Sequence, residues 1–146
     1  MAPLRKNLRD VITVLAAGLI LGSFAIPAFN GYVERSRVAR AVSEIGTMSL
    51  KLHQWQRNGN PLPANLSQAG IAVVDPWGRP YVYLRAADAS RAQLRKDGEL
   101  VPLNTDFDLY SFGPDGVSAL ALPAAPSQDD VVRAANGAYI GLGANY

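Results

Sequence analysis

Residues 11–29, VITVLAAGLILGSFAIPAF, hold 19 consecutive positions without a charge. A helix needs about 20 apolar residues to cross a bilayer core, so this run predicts a transmembrane helix. Beyond it the pattern changes without stopping. Val38, Val42, Ile45, Ser49 and Leu52 recur at steps of four, three, four and three, which is one stripe on a helix. Glu34, Arg35, Arg37, Arg40, Glu44 and Lys51 lie largely off that stripe. One helix is therefore expected from about residue 11 to residue 57, roughly 70 Å long and more than twice the hydrocarbon thickness. Its upper half is amphipathic and needs a domain to pack on. NGNP at 58–61 supplies the stop. Pro27 interrupts the apolar run, as a simple kink or as a hinge that melts when helices bundle. A cleaved secretory signal ending near SFA (23–25) is the rival reading. The helical pattern past residue 25 speaks against it.

The second half reads as short strands and turns. Residues 58–74 predict a loop with at most a short helix at NLSQAG, then a DPWGRP turn and a YVYLR strand. Trp77 of that turn is expected in the core. Residues 86–100 are polar and charged, a loop or short helix with no function assigned. DFDLYSF alternates Phe107, Leu109 and Ser111 against Asp108, Tyr110 and Phe112, a strand with both faces partly covered. GPDG turns the chain, VSALAL begins the return, PAAPSQ loops, and DDVVRAANGAYIG closes the domain with a short turn or strand. The fold class is α+β: a long N-terminal helix packed on a small antiparallel sheet.

Composition narrows the chemistry. A formal charge of +2 over 146 residues offers no concentrated basic face for nucleic acid. Cysteine is absent, which excludes disulfides and thiolate metal sites. His53 is the single histidine, expected as a surface or boundary residue, and no zinc site is expected without several His or Cys ligands. Arg5, Lys6 and Arg9 before the apolar run suit a cytoplasmic N-terminus, but Arg35, Arg37 and Arg40 after it weaken the asymmetry. Nine of the twelve acidic residues are Asp, the usual residue of turns, caps and hard-cation sites. Asn104, Asp106, Asp108 and Asp115 are spaced like a helical calcium loop, yet its sixth position is Leu109 where a glycine is needed. Asp106 and Asp108 are therefore expected to be exposed on a strand. Asp115 with Asp129 and Asp130 is the stronger group. Its plain alternative is Asp115 as a turn residue and Asp129 as a helix N-cap. Carboxylate-pair catalysis is disfavoured because successive side chains diverge and little chain is left for a cleft. An enzyme is not expected.

AIPAFNGYVERSRVARA (25–41) resembles the helix of type IV pilins and type II secretion pseudopilins: Ile-Pro, an aromatic, a polar pair and an Arg-rich amphipathic half. DPWGRPYVYL (75–84), DFDLYSFGPDG (106–116) and DDVVRAANGAYIG (129–141) resemble blocks of the major pseudopilin branch. The resemblance implies a structural subunit that polymerises through its helix into a short filament and drives protein export. It implies copies of itself, other pseudopilins and the inner-membrane assembly platform as partners. It divides the chain into a cytoplasmic leader-like segment (1–10), a transmembrane or filament-core helix (11–32) and a periplasmic domain (33–146). It implies a calcium site from the carbonyl of Phe112, the side chain of Asp115, Asp130 or Asp129, and Ser127 or a loop carbonyl. With Pro27 as the family proline, Asp10 stands where the family carries its assembly glutamate, 17 residues earlier. The peptidase cut would then fall between Arg5 and Lys6, with Arg5 in place of glycine and Lys6 in place of phenylalanine. A pilin of a related system, or a pilin-like anchored protein that never polymerises, is the alternative that this departure feeds. A generic anchored binding module explains neither the helix length nor the matched blocks.

Overall fold

The computed structural model describes residues 2–90, 92–98 and 101–146, with the side chains of 2–7, 18–25, 27 and 28 outside the description. Its first element is a single helix, α1 (Ala2–Arg57), 56 residues long. It ends where the NGNP signal predicts and begins well before residue 11. The backbone stays helical through position 27, while the Pro27 side chain lies outside the described residues. The chain divides into two compact units, Met1–Ser36 and Arg37–Tyr146. In the first, Leu8, Val11, Ile12, Val14, Leu15, Ile26, Phe29 and Tyr32 are all exposed. Among the described residues no helix is long and apolar enough to cross a membrane. The predicted span includes 18–25, 27 and 28, whose side chains fall outside that description.

In the second unit the stripe does what its spacing requires. Ala41, Ile45, Met48, Ser49 and Leu52 are buried, with Val38 and Val42 partly covered beside them. They pack on an antiparallel sheet of four strands in the order β1-β4-β5-β6: β1 (Val82–Arg85), β4 (Phe107–Ser111), β5 (Val131–Ala134) and β6 (Tyr139–Leu142). A separate small hairpin pairs β2 (Lys96–Asp97) with β3 (Val101–Pro102). Side chains alternate across a strand, and both sets are used here. Phe107, Leu109 and Val131 join the helix residues in one core, whereas Val132 and Ala134 join Leu103 and Leu122 in a second. The sheet is thus covered on one face by α1 and on the other by the irregular segments between the strands. This is why β4 and β5 read as nearly continuous buried runs.

Three expectations are refined or corrected. VSALAL begins the return with one isolated parallel bridge, Lys96↔Ala121, a 3-10 turn follows at Ala125–Ser127, and β5 then pairs with β4 through Tyr110↔Val132 and Ser111↔Val131. The closing segment is a full hairpin, β5 to β6. Asp108 and Asp106 are not exposed. Asp108 is 1 % exposed, accepting from the Arg95 backbone N–H at 2.7 Å and from Asn104 Nδ2 at 3.0 Å. Asp106 sits half-buried against Arg133. The sequence pattern misses both because their partners lie on distant segments. Trp77 packs against the main core, as expected. Its turn is held by Asp75, whose carboxylate accepts the N–H groups of Trp77 and Arg79 and the Ser111 hydroxyl at 3.1, 2.8 and 2.6 Å.

Arg133 and Arg95 are the largest fully buried side chains among the described residues, and Arg133 lies between α1 and the sheet. Its guanidinium makes a two-pronged pair with Asp106, at 2.8 and 2.6 Å, donates to the Phe107 carbonyl and reaches Ser49 of α1 at 3.0 Å. It lies 3.9 Å from the Phe107 ring centre, and His53 Nε2 lies 3.4 Å from Nη2. Burial pushes the Asp106 carboxyl up, but the hydrogen bonds from Arg133 and the Phe107 N–H outweigh it and hold the group below its ordinary value. Burial pushes Asp108 up, and it does the same to Asp130, against the pull of their hydrogen-bond and arginine partners. The signs follow from linkage. A lowered carboxyl contributes stability above its unfolded value and loses it as pH falls through the folded one. The raised pair acts in the opposite sense, adding stability as they take up protons. The expected profile rises gently toward mild acid, then falls below about pH 4. Asp106→Asn flattens that acid limb in a pH series of denaturant unfolding; an unchanged limb would show that the Asp106–Arg133 pair does not control it.

Candidate functional site

The GPDG turn and the irregular run to β5 carry the residues expected to bind calcium, and the structure brings them to one corner of the sheet. Gly113 makes the turn possible at φ +62, with its Cα pressed on the next segment: a Cβ there would stand 2.2 Å from the Asp129 carbonyl oxygen. The exposed Asp115 uses Oδ1 to accept the Val117 N–H at 2.8 Å, an Asx turn. Its own N–H donates to Asp129 Oδ2 at 3.2 Å. The Phe112 carbonyl accepts from the Gly116 N–H at 3.3 Å. Asp115 is thus a turn residue, as its plain alternative has it, whereas Asp129 precedes a strand and caps no helix.

Ser127 and Asp130 face elsewhere. The buried Ser127 hydroxyl accepts the Ala119 N–H at 3.0 Å and donates to the Ala119 carbonyl at 2.8 Å, bridging the run to itself. Asp130 is fully buried. Its Oδ2 pairs with Arg95 Nη1 at 2.7 Å and accepts from the Ser118 hydroxyl at 2.6 Å, and Arg95 Nη1 also donates to that hydroxyl at 2.6 Å. The Arg95 guanidinium lies over the Tyr110 ring, 4.4 Å from its centre. Outside the turn, Arg79 Nη2 donates to the Gly113 carbonyl, and Gly116 is packed on the same guanidinium.

Calcium needs six to eight oxygens around one point at about 2.4 Å. This corner does not fit it as arranged. The Ser127 hydroxyl is used twice within its own loop, and the Asp130 carboxylate is held by an arginine. Asp129 Oδ2 accepts the Asp115 N–H, Asp115 Oδ1 accepts the Val117 N–H, and the Phe112 carbonyl accepts a backbone N–H. Among the described residues no three His, Cys, Asp or Glu side chains are grouped to hold a metal ion. Sequence reasoning missed Arg95 altogether, within the stretch left without a function. No local signal marks it, since Asp130 lies 35 positions along the chain. Of the two assembly residues, Asp10 is exposed on α1, and the Pro27 side chain lies outside the described residues, as do those of Arg5 and Lys6.

A helix of this length, its upper half packed on a small antiparallel sheet with a loop-rich outer layer, is a pilin-like α+β architecture. The chain is similar to two curated proteins that carry one name, Type II secretion system core protein G. That of Pseudomonas aeruginosa is 24 % identical over 132 residues, covering 75 % of this chain and 82 % of its own length. That of Pectobacterium carotovorum subsp. carotovorum is 25 % identical over 122 residues, covering 76 % of each. No family model and no solved structure matches the chain.

Proposed function

We infer that the chain is a structural subunit of a type II secretion pseudopilus, polymerising through α1 while the globular domains coat the filament and the growing assembly drives export. The similarity to two type II secretion core proteins across three quarters of the chain carries this reading. The exposed apolar residues of the first unit agree with it, because a surface such as Val14 at 70 % and Phe29 at 66 % exposure requires lipid or neighbouring helices. On this reading residues 11–32 span the inner membrane before extraction, 1–10 are cytoplasmic and 33–146 periplasmic. Partners are further copies, other pseudopilins and the assembly platform; no catalytic step is involved. Asp10 places a carboxylate in the helix bundle and requires a cationic neighbour there.

The test is electron microscopy of sheared surface material from cells overproducing the full chain with its assembly machinery. Filaments are expected, with a marked loss in Asp10→Ala. Their absence, with the same machinery polymerising a known subunit, overturns the reading. A non-polymerising pilin-like protein is the second reading, favoured by Arg5 standing where the processed family carries glycine. Determination of the mature N-terminus separates the two: an uncut Met1 supports the second.

A further inference from the structure

The corner where the resemblance places calcium already contains a cation. Arg95 touches both ends of the long irregular run through a single nitrogen, Ser118 near its start and Asp130 at its finish. It is not a loose surface side chain. It is 1 % exposed, stacked on Tyr110 of β4, and its backbone N–H is fixed at 2.7 Å by the buried Asp108. Its carbonyl accepts the Leu103 N–H at 2.8 Å, so both backbone groups of the residue are tied. A buried ion pair costs much desolvation and repays it through geometry. Here Nε and Nη2 of Arg95 and Oδ1 of Asp130 have no hydrogen-bond partner, so the two charges meet through the one Nη1–Oδ2 contact at 2.7 Å.

We propose that Arg95 replaces the loop cation: its guanidinium pins the run between the GPDG turn and β5 by joining Ser118 to Asp130, and makes the folded domain independent of calcium. A divalent ion at this corner would stand beside the guanidiniums of Arg79 and Arg95, where like charges repel. Asp130, the deepest of the expected carboxylates, is also the one already neutralised. Asp108 serves as the positioning residue, since it sets the backbone from which Arg95 extends.

The experiment is thermal unfolding of the full chain in detergent, followed by near-ultraviolet circular dichroism, in calcium and in excess chelator. The wild-type midpoint is expected to be the same in both. Arg95→Ala is expected to lower the midpoint by about 10 °C in chelator. It is also expected to respond to calcium, because Asp130 is released to join Asp129 and Asp115. Arg95→Lys, which retains the charge, is expected to fold and to stay insensitive. A wild-type midpoint that rises in calcium overturns the proposal, as does an Arg95→Ala chain that keeps the wild-type midpoint. Should Arg95→Ala not fold, titration calorimetry of the wild-type chain with calcium decides: no heat supports the proposal and stoichiometric binding overturns it. None of these readouts needs a filament, so failure here is distinct from failure of the pseudopilus reading.

Discussion

Arg133→Met is expected to destabilise the folded chain by about 4 kcal/mol, the cost of breaking a buried, hydrogen-bonded ion pair. The methionine keeps much of the arginine's volume and stacking on Phe107, so the loss reports the charge and its bonds more than a cavity. Removing the guanidinium takes both prongs from Asp106, the donor from the Phe107 carbonyl and the partner of Ser49. It also strips one donor from Asn104 Oδ1, which keeps the Asn136 N–H. The Asp106 side chain is 22 % exposed and can recover some water; the Phe107 carbonyl, deep in the sheet, cannot. Denaturant unfolding followed by tryptophan fluorescence measures the change. The double variant with Asp106→Asn should lose less than the sum of its parts, since the two residues share one interaction. A loss below about 1 kcal/mol for Arg133→Met, the range of an exposed pair, would show that the network does not hold the helix to the sheet.

Gly113→Ala is expected to cost about 3 kcal/mol, from a left-handed backbone worth roughly 1–2 kcal/mol and the overpacking of a closed contact. At φ +62 a side chain is strained wherever it points. Here it also points at the Asp129 carbonyl, which leads directly into β5 and cannot move without disturbing the β4–β5 pairing. The variant should therefore loosen residues 113–130 first, seen as faster amide hydrogen exchange there than along α1. Gly78, equally left-handed at φ +85 but facing open space, is the internal control: Gly78→Ala carries the backbone cost alone. Equal losses at the two positions would show that the approach to Asp129 contributes nothing.

The elements visible in the sequence are those built from local periodicity. The stripe through Val38, Ile45 and Leu52 needs only the 3.6-residue repeat, and NGNP ends the helix because its residues cannot continue one. The alternation of Phe107 to Phe112 shows equally well that both faces of β4 are covered. What fails are the inferences about charged side chains whose partners lie on other segments. Asp106 and Asp108 look like exposed strand residues until Arg133 and Arg95 arrive from other segments. VSALAL pairs only through one parallel bridge to Lys96, while the Ala119 N–H and carbonyl go to the Ser127 hydroxyl, and neither partner is visible in its own sequence.

The candidate site divides along the same line. The turn that brings Asp115 to Asp129 was legible, but Asp130 faces Arg95 and Ser118 instead. Whether such carboxylates face an ion or an arginine is not a property of their spacing. It depends on which cation the fold delivers to their far side. By itself the sequence determined the long helix, its apolar lower half, the amphipathic upper half and the positions of the tight turns, since each follows from backbone preference or side-chain period. Only the tertiary structure decided that Arg133 would join helix to sheet and that Arg95 would reach Asp130. A charged side chain enters a core only where its partner is already in place, and that place is set by the packing of the whole.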